Sequence, residues 1–476
     1  MASNPFSTPP LSRVTTLDNA SSGPPKRMAS TALPPAAPYA AVAKPWTQKP
    51  NPRATFSYYL TWFLLFVGAS LGGVQSYFSY HNVRIDRAPL CLVFSEDFNA
   101  GDDAAVFGSG GSPGRWLREV QMDGFGNGEF EMTTSSSNNS FLLDGNLYLL
   151  PTLTQDGAPF PDGTTYNATD CTFNITAPNG GFNAGPTGTD FDWSGYFTAC
   201  SRTTNSTAGT IINPVQSARV STLISAKNGN ETTLTRGSIR YGKVEVRAKM
   251  PAGDWLWPAI WMLPVPGSDG QGAYGAWPRS GEIDLVESRG NGIRYTNRGS
   301  NYVQGALNWG PTPQLNGVGK SYSWWTDRRT PFSNDFHTYT MEWTDKWLRI
   351  SVDTRLHTLL DMQFNEPFWQ RGDFPKTITG PDGRLEALQD PWANATNKNA
   401  APFDQDFYLI MNVAVGGTNG WFPDGQGNKP WLNHAGNPMA DFASNKGQWL
   451  PTWPENVEDR AMVVDYVKMW KHCGDP

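Results

Sequence analysis

Eight consecutive residues, Gly281-Glu282-Ile283-Asp284-Leu285-Val286-Glu287-Ser288, set three carboxylates among apolar neighbours with no basic residue between them. In an extended strand side chains alternate between faces, so Glu282 and Asp284 share one face while Ile283 and Leu285 take the other. Glu287 follows Glu282 at an odd spacing, and regular pleating would turn it away. One extra residue accommodated as a β-bulge near Leu285-Val286 returns it to the acid face, and bulges are frequent beside active sites. Two carboxyl groups about 5–5.5 Å apart suit retaining cleavage of a glycosidic bond, one attacking the anomeric carbon while the other, protonated, donates to the leaving oxygen. An acid between them holds the nucleophile and raises its neighbour's pKa by like-charge repulsion. An acidic edge or a metal loop would use the same residue types, so the surrounding sequence must decide.

That surrounding is rich in strands and turns. From residue 90 to 472 short β-rich runs alternate with Gly, Pro, Asn and Asp clusters, and helical periodicity is almost absent. Val244, Val246, Ala248 and Met250 alternate with Lys243, Glu245, Arg247 and Lys249, a strand with one solvated face. Many such strands predict an all-β sandwich of two antiparallel sheets, with excursions at 155–210 and 365–405 and no second domain inside the region. The 20 Trp at a net charge of −6 suit stacking on neutral sugar faces and argue against nucleic acid as a partner. With five His in the chain and no His/Cys/Asp cluster at metal-ligand spacing, no metal or organic cofactor is expected to do the chemistry.

Residues 1–54, rich in Ser, Pro, Ala and Thr, are expected to be a disordered cytoplasmic tail. Residues 55–79 read as one transmembrane signal anchor: Phe56 to Val74 are mainly apolar, and aromatic residues stand towards the ends. Arg13, Lys26, Arg27, Lys44, Lys49 and Arg53 precede it, which predicts a single-pass type II protein whose residues 80–476 are lumenal or extracellular. A signal peptide cut after Gly68-Ala69-Ser70 is the alternative. Sequons at Asn138, Asn167, Asn174, Asn205, Asn230 and Asn394 all lie downstream. So do the four cysteines, for which an oxidising compartment favours disulfides over free thiols. Cys171 and Cys200 bracket a Gly/Thr/Asn-rich stretch and would staple a loop; Cys91 and Cys473 would then tie the ends of the domain together.

Three further motifs surround the acidic strand. These are Arg240-Tyr241-Gly242-Lys243-Val244-Glu245-Val246-Arg247-Ala248, Trp257-Pro258-Ala259-Ile260-Trp261-Met262-Leu263-Pro264, and Trp277-Pro278-Arg279-Ser280 running into the acids. Flanking pieces accompany these, among them Gly126-Asn127-Gly128-Glu129-Phe130, Asn308-Trp309-Gly310-Pro311, Phe336-His337-Thr338-Tyr339 and Asn412-Val413-Ala414-Val415-Gly416-Gly417 with Trp421. Together these pieces resemble glycoside hydrolase family 16; the bulged form of the acid motif is similar to its laminarinase-like branch, and the whole layout to fungal membrane-anchored members. The resemblance covers about residues 90–473. It implies a concanavalin A-like jelly roll with a sugar-binding cleft and a β-glucan partner, in a protein expected to be monomeric. Roles carried over make Glu282 the nucleophile, Asp284 its helper and Glu287 the acid/base. Trp277, Trp257, Trp261, Trp309 and Trp421 become platforms near the cleft; His337, Arg240, Asn412 and Glu129 become candidate partners of sugar hydroxyls. Some members hold a structural calcium near the chain ends, for which Asp465 is the matching candidate.

Overall fold

The computed structural model describes residues 51–474 except 110–111, 157–158, 174–191, 229–230, 236, 268–270, 297 and 381–382. Residues 1–50 of the tail expected over 1–54, and the sequons at Asn174 and Asn230, lie outside the described residues. The chain divides into two units after Ile85. In the first, the mainly apolar stretch forms helix α1, Pro52–Asn82, with Pro52 opening it and the Asn51 side chain accepting from the Arg53 and Ala54 amides. The helix starts before and ends after the expected span, because the Asn51 cap sets its start and Gln75 to Asn82 contain no breaker. Over Pro52–His81 it is long and apolar enough to cross a membrane.

In the second unit the expected sandwich is present. Its strands are β1 (Leu90–Glu96), β2 (Leu117–Arg118), β3 (Ser140–Leu143), β4 (Asn146–Leu149), β5 (Arg219–Ser221), β6 (Ser238–Ile239), β7 (Gly242–Lys249), β8 (Leu256–Pro264) and β9 (Glu282–Ser288), followed by β10 (Tyr302–Asn308), β11 (Tyr322–Thr326), β12 (His337–Trp343), β13 (Trp347–Val352), β14 (Thr358–Gln363), β15 (Phe407–Val415) and β16 (Met462–His472). One antiparallel sheet runs β14-β13-β12-β7-β16-β4-β3, with β1 on β16; the other runs β11-β10-β9-β8-β15-β5-β2, with β6 on β15.

Burial follows the period-two pattern. Val244, Val246 and Ala248 are fully buried and alternate with half-buried Lys243, Glu245 and Arg247. Lys249 departs from the expected solvated face: it is buried, its Nζ held 2.7 Å from Asp459 Oδ1. On β10 it is Val303, Gly305 and Leu307 that face the opposing sheet, where Ile350 and Leu359 would meet a side chain at Gly305. Gln304 and Asn308 therefore stand on the outer face, half-buried. Central strand β15 is buried along its whole length. Both expected disulfides are present, Cys91–Cys473 joining the ends of β1 and β16 and Cys171–Cys200 closing the loop stretch, with Cα separations of 5.0 and 5.6 Å.

Candidate active site

Strand β9 carries the bulge. Glu282 pairs with Asn308 and Asp284 with Ala306, but Glu287 pairs with Gln304, so β9 spends one more residue than β10 between those pairs. On its other side β9 pairs Val286 with Ile260 and Asp284 with Trp261, which identifies Leu285 as the extra residue. Ile283, Leu285 and Val286 are all fully buried, and the three acids lie on the face opposite them.

The two glutamates have separate donors, and Asp284 shares one with Glu282. Trp277 Nε1 donates to Glu282 Oε2 at 3.0 Å, and Asn308 Nδ2 donates to Glu282 Oε1 at 2.8 Å and to Asp284 Oδ2 at 2.9 Å. Trp257 Nε1 donates to Glu287 Oε1 at 3.0 Å, with Gln304 Nε2 farther off at 3.5 Å from Oε2. Burial pushes the Glu282 carboxyl up to about 7, and the charge of Glu287 adds to it, against the donors Trp277 and Asp284. For Asp284, burial and then the neighbouring Glu282 and Glu287 charges raise the pKa well above the carboxylate range, and the hydrogen bond with Glu282 raises it further. Burial likewise raises Glu287 to about 7; Trp257 and the Arg289 charge oppose this, while Glu129 adds to it. Glu282 has the fuller set of donors and Glu287 the sparser, and both carboxyls are raised to about 7.

Further partners surround the acids. Trp257 stacks on Trp421 with ring centres 4.9 Å apart and planes at 11°. The Arg289 guanidinium lies 3.9 Å from the Trp421 ring centre, and its Nη2 donates to the Trp421 carbonyl at 2.6 Å. Protein groups thus meet Trp421 where a sugar would stack. Trp261 shares the face of Trp257, as their even spacing requires, and donates from Nε1 to Asn412 Oδ1 at 2.8 Å. Asn412 is drawn into this row through Ala259, which pairs with both it and Glu287. Glu129 is buried near Glu287, with Asn127 Nδ2 2.9 Å from its Oε1; burial raises its pKa, and the adjacent Glu131 is raised further. Trp277, 39% exposed, stands beside the acids.

Four expectations are corrected, that of Trp421 as a platform among them. Trp309 is no platform: it follows the last residue of β10, packs against Phe368, Phe374 and Trp392, and is fully buried with Nε1 on Ser321 Oγ. His337 sits on β12 in the opposite sheet, Nδ1 2.8 Å from Asp353 Oδ2, away from the acids. The structure does not contradict Arg240, which is exposed just before β7 and lowers the pKa of Asp404 against the dominant effect of burial. Asp465 is ion-paired with Arg247, whose guanidinium occupies the place of a cation. Asn308, Gln304 and Arg289 had no role assigned from sequence. Neither had Tyr322 and Trp324, although their even spacing on a short strand is a readable signal.

The model of glycosyl hydrolases family 16 matches residues 201–380. A β-1,3-glucan-binding protein of Penaeus monodon is 37% identical over 386 residues, 80% of this chain and 90% of that one. A glucan endo-1,3-β-glucosidase of Cryptopygus antarcticus is 31% identical over 237 residues, 50% of this chain and 64% of that one. Among solved structures, the laminarinase from Rhodothermus marinus aligns with 22% identity over 81% of this chain and 99% of that one, at a TM-score of 0.43. The chain belongs to glycosyl hydrolase family 16. Members of the family need no cofactor, and among the described residues no group of three or more His, Cys, Asp or Glu side chains is arranged to hold a metal.

Proposed function

We propose that this protein is a retaining, endo-acting hydrolase of β-1,3-linked glucan. The observation that carries the reading is the bulged strand β9, which gathers Glu282, Asp284 and Glu287 on one face with separate donors for the two glutamates. Glu282, ionised, attacks the anomeric carbon while the proton of Glu287 passes to the departing oxygen and the glycosidic bond breaks. Glu287 then takes a proton from water, whose oxygen bonds to the anomeric carbon as the ester to Glu282 breaks. Asp284 holds its proton towards Glu282 and steadies it. In this reading Trp277, Trp257, Trp261, Asn412 and Glu129 meet the sugar.

Residues 1–54, 55–79 and 80–476 serve in this reading as cytoplasmic tail, type II anchor and lumenal or extracellular catalytic domain. The two disulfides and the exposure of Asn138, Asn167, Asn205 and Asn394 support such a compartment. The names of several relatives favour a second reading, recognition of β-1,3-glucan without turnover. Transfer of the glycosyl unit to a sugar hydroxyl is a third outcome of the same intermediate. Incubation with laminarin, lichenan and pustulan separates these. Short products from laminarin with wild type, and none with Glu282→Gln, support hydrolysis. Laminarin bound but never cut by wild type leaves recognition, and elongated products from a labelled acceptor show transfer.

A further inference from the structure

Strand β11 is the edge of the sheet that bears the acids, and its outward residues are unusually large. Tyr322 and Trp324 are 38% and 43% exposed, with ring centres 6.0 Å apart and planes at 29°. Trp325, between Trp324 and Thr326, instead turns inward and stacks on His357 at 4.3 Å. Pairing puts the two exposed rings in line with the catalytic residues: Asp284, Ala306 and Tyr322 form one cross-strand row, and Glu287, Gln304 and Trp324 the next. The rings therefore lie about 10 Å from the acids, two interstrand spacings away, on the same face. Arg298 fixes the arrangement, its guanidinium 3.9 Å from the Trp324 ring centre and 4.9 Å from that of buried Tyr302.

We infer that Tyr322 and Trp324 form an aromatic shelf that binds sugar units of a β-linked glucan chain beyond the unit over the acids. The inference rests on the glucan-cleaving reading above and adds to it the place where a long chain is gripped. The occupant follows from what the shelf adjoins. A chain lying across the strands from Glu287 passes over Gln304, an amide able to bond hydroxyls, and reaches rings whose apolar faces match those of a pyranose. An apolar shelf at the edge of a sheet invites a second strand or a protein partner, but Thr326 and the cationic Arg298 bound it with groups that suit a hydroxyl-rich ligand.

The test is calorimetric titration of the full chain in detergent with β-1,3-linked oligosaccharides of increasing length. Glu282→Gln, which keeps the substrate intact, is compared with Glu282→Gln carrying Tyr322→Ala and Trp324→Ala. The Glu282→Gln protein should gain affinity as the oligosaccharide lengthens, and the shelf variant should lose about tenfold for the long chains while matching it on the shortest. Trp324→Phe should recover part of the loss; both rings are on an exposed edge, and unfolding curves check that the variants fold. Equal length dependence in the two proteins overturns the shelf while leaving the catalytic reading intact. Failure of Glu282→Gln to bind any β-1,3-glucan overturns both. Loss of self-association with unchanged glucan binding overturns the shelf in favour of a protein contact.

Discussion

Three carboxyl groups within reach of one another, Asp284 buried and the two glutamates half-buried, cannot all be charged, and the donors around them decide where the protons stay. Asn308 is central because one amide serves both Glu282 and Asp284. Asn308→Ala should lower kcat by about tenfold to a hundredfold, the worth of a hydrogen bond to a charged group, with a smaller change in KM. The raised pKa values also have a stability consequence with a definite sign. Glu287 is raised from 4.5 to about 7 by burial first. Its contribution is fully present below its unfolded pKa of 4.5 and is lost as pH rises through about 7, where the folded protein must hold the buried charge. Glu287→Gln removes that cost. Its melting temperature should match wild type near pH 4 and exceed it by several degrees near pH 8; equal melting temperatures at both pH values would contradict the assignment.

At the scale of the strand, the bulge predicts unequal effects of two deletions. Removing Leu285 alone converts β9 to regular pleating with all three acids still outward, so the variant should fold, with a loss of about 2–5 kcal/mol in denaturant melts for the missing core side chain. Removing Leu285 and Val286 together turns Glu287 into the core, and the unpaired buried charge should prevent folding. The bulge is legible in the sequence because the odd spacing of Glu282 and Glu287 conflicts with a shared task. Trp257 and Trp261 are legible for a related reason, even spacing on a strand. Trp309 is not, because it lies one residue past Asn308, where the strand ends and the chain folds under its own loop. His337 fails differently: alternation gives the face of a strand but not which sheet the strand joins, and β12 joins the one opposite the acids. Arg289 is invisible in the sequence because its effect on Glu287 runs partly through the stacked Trp421 and Trp257 rings, a contact made by chain segments far apart in sequence.

For the whole molecule, the two ends of the sandwich are fastened where β1 lies on β16, with Cys91 bonded to Cys473 across 382 residues of sequence. Replacing both by serine should cost about 2–5 kcal/mol in unfolding free energy, because the denatured chain regains the entropy that so long a closed loop removes. Protease treatment of sealed microsomes should leave the sandwich protected and the N-terminal residues cut; the reverse pattern contradicts the type II arrangement. The two large sheets serve the site unequally. One is packed against the core and ionic on its outer face, while the other offers the acids, their indole donors and the aromatic edge. The central claim, that Glu282 and Glu287 work as nucleophile and acid/base of a retaining cleavage, is tested most directly by the anomer first released. Proton NMR of a fresh digest of laminarin by wild type should show the β-anomer first, before mutarotation, and no product from Glu282→Gln. An α-anomer first, or cleavage surviving in Glu282→Gln, would contradict it.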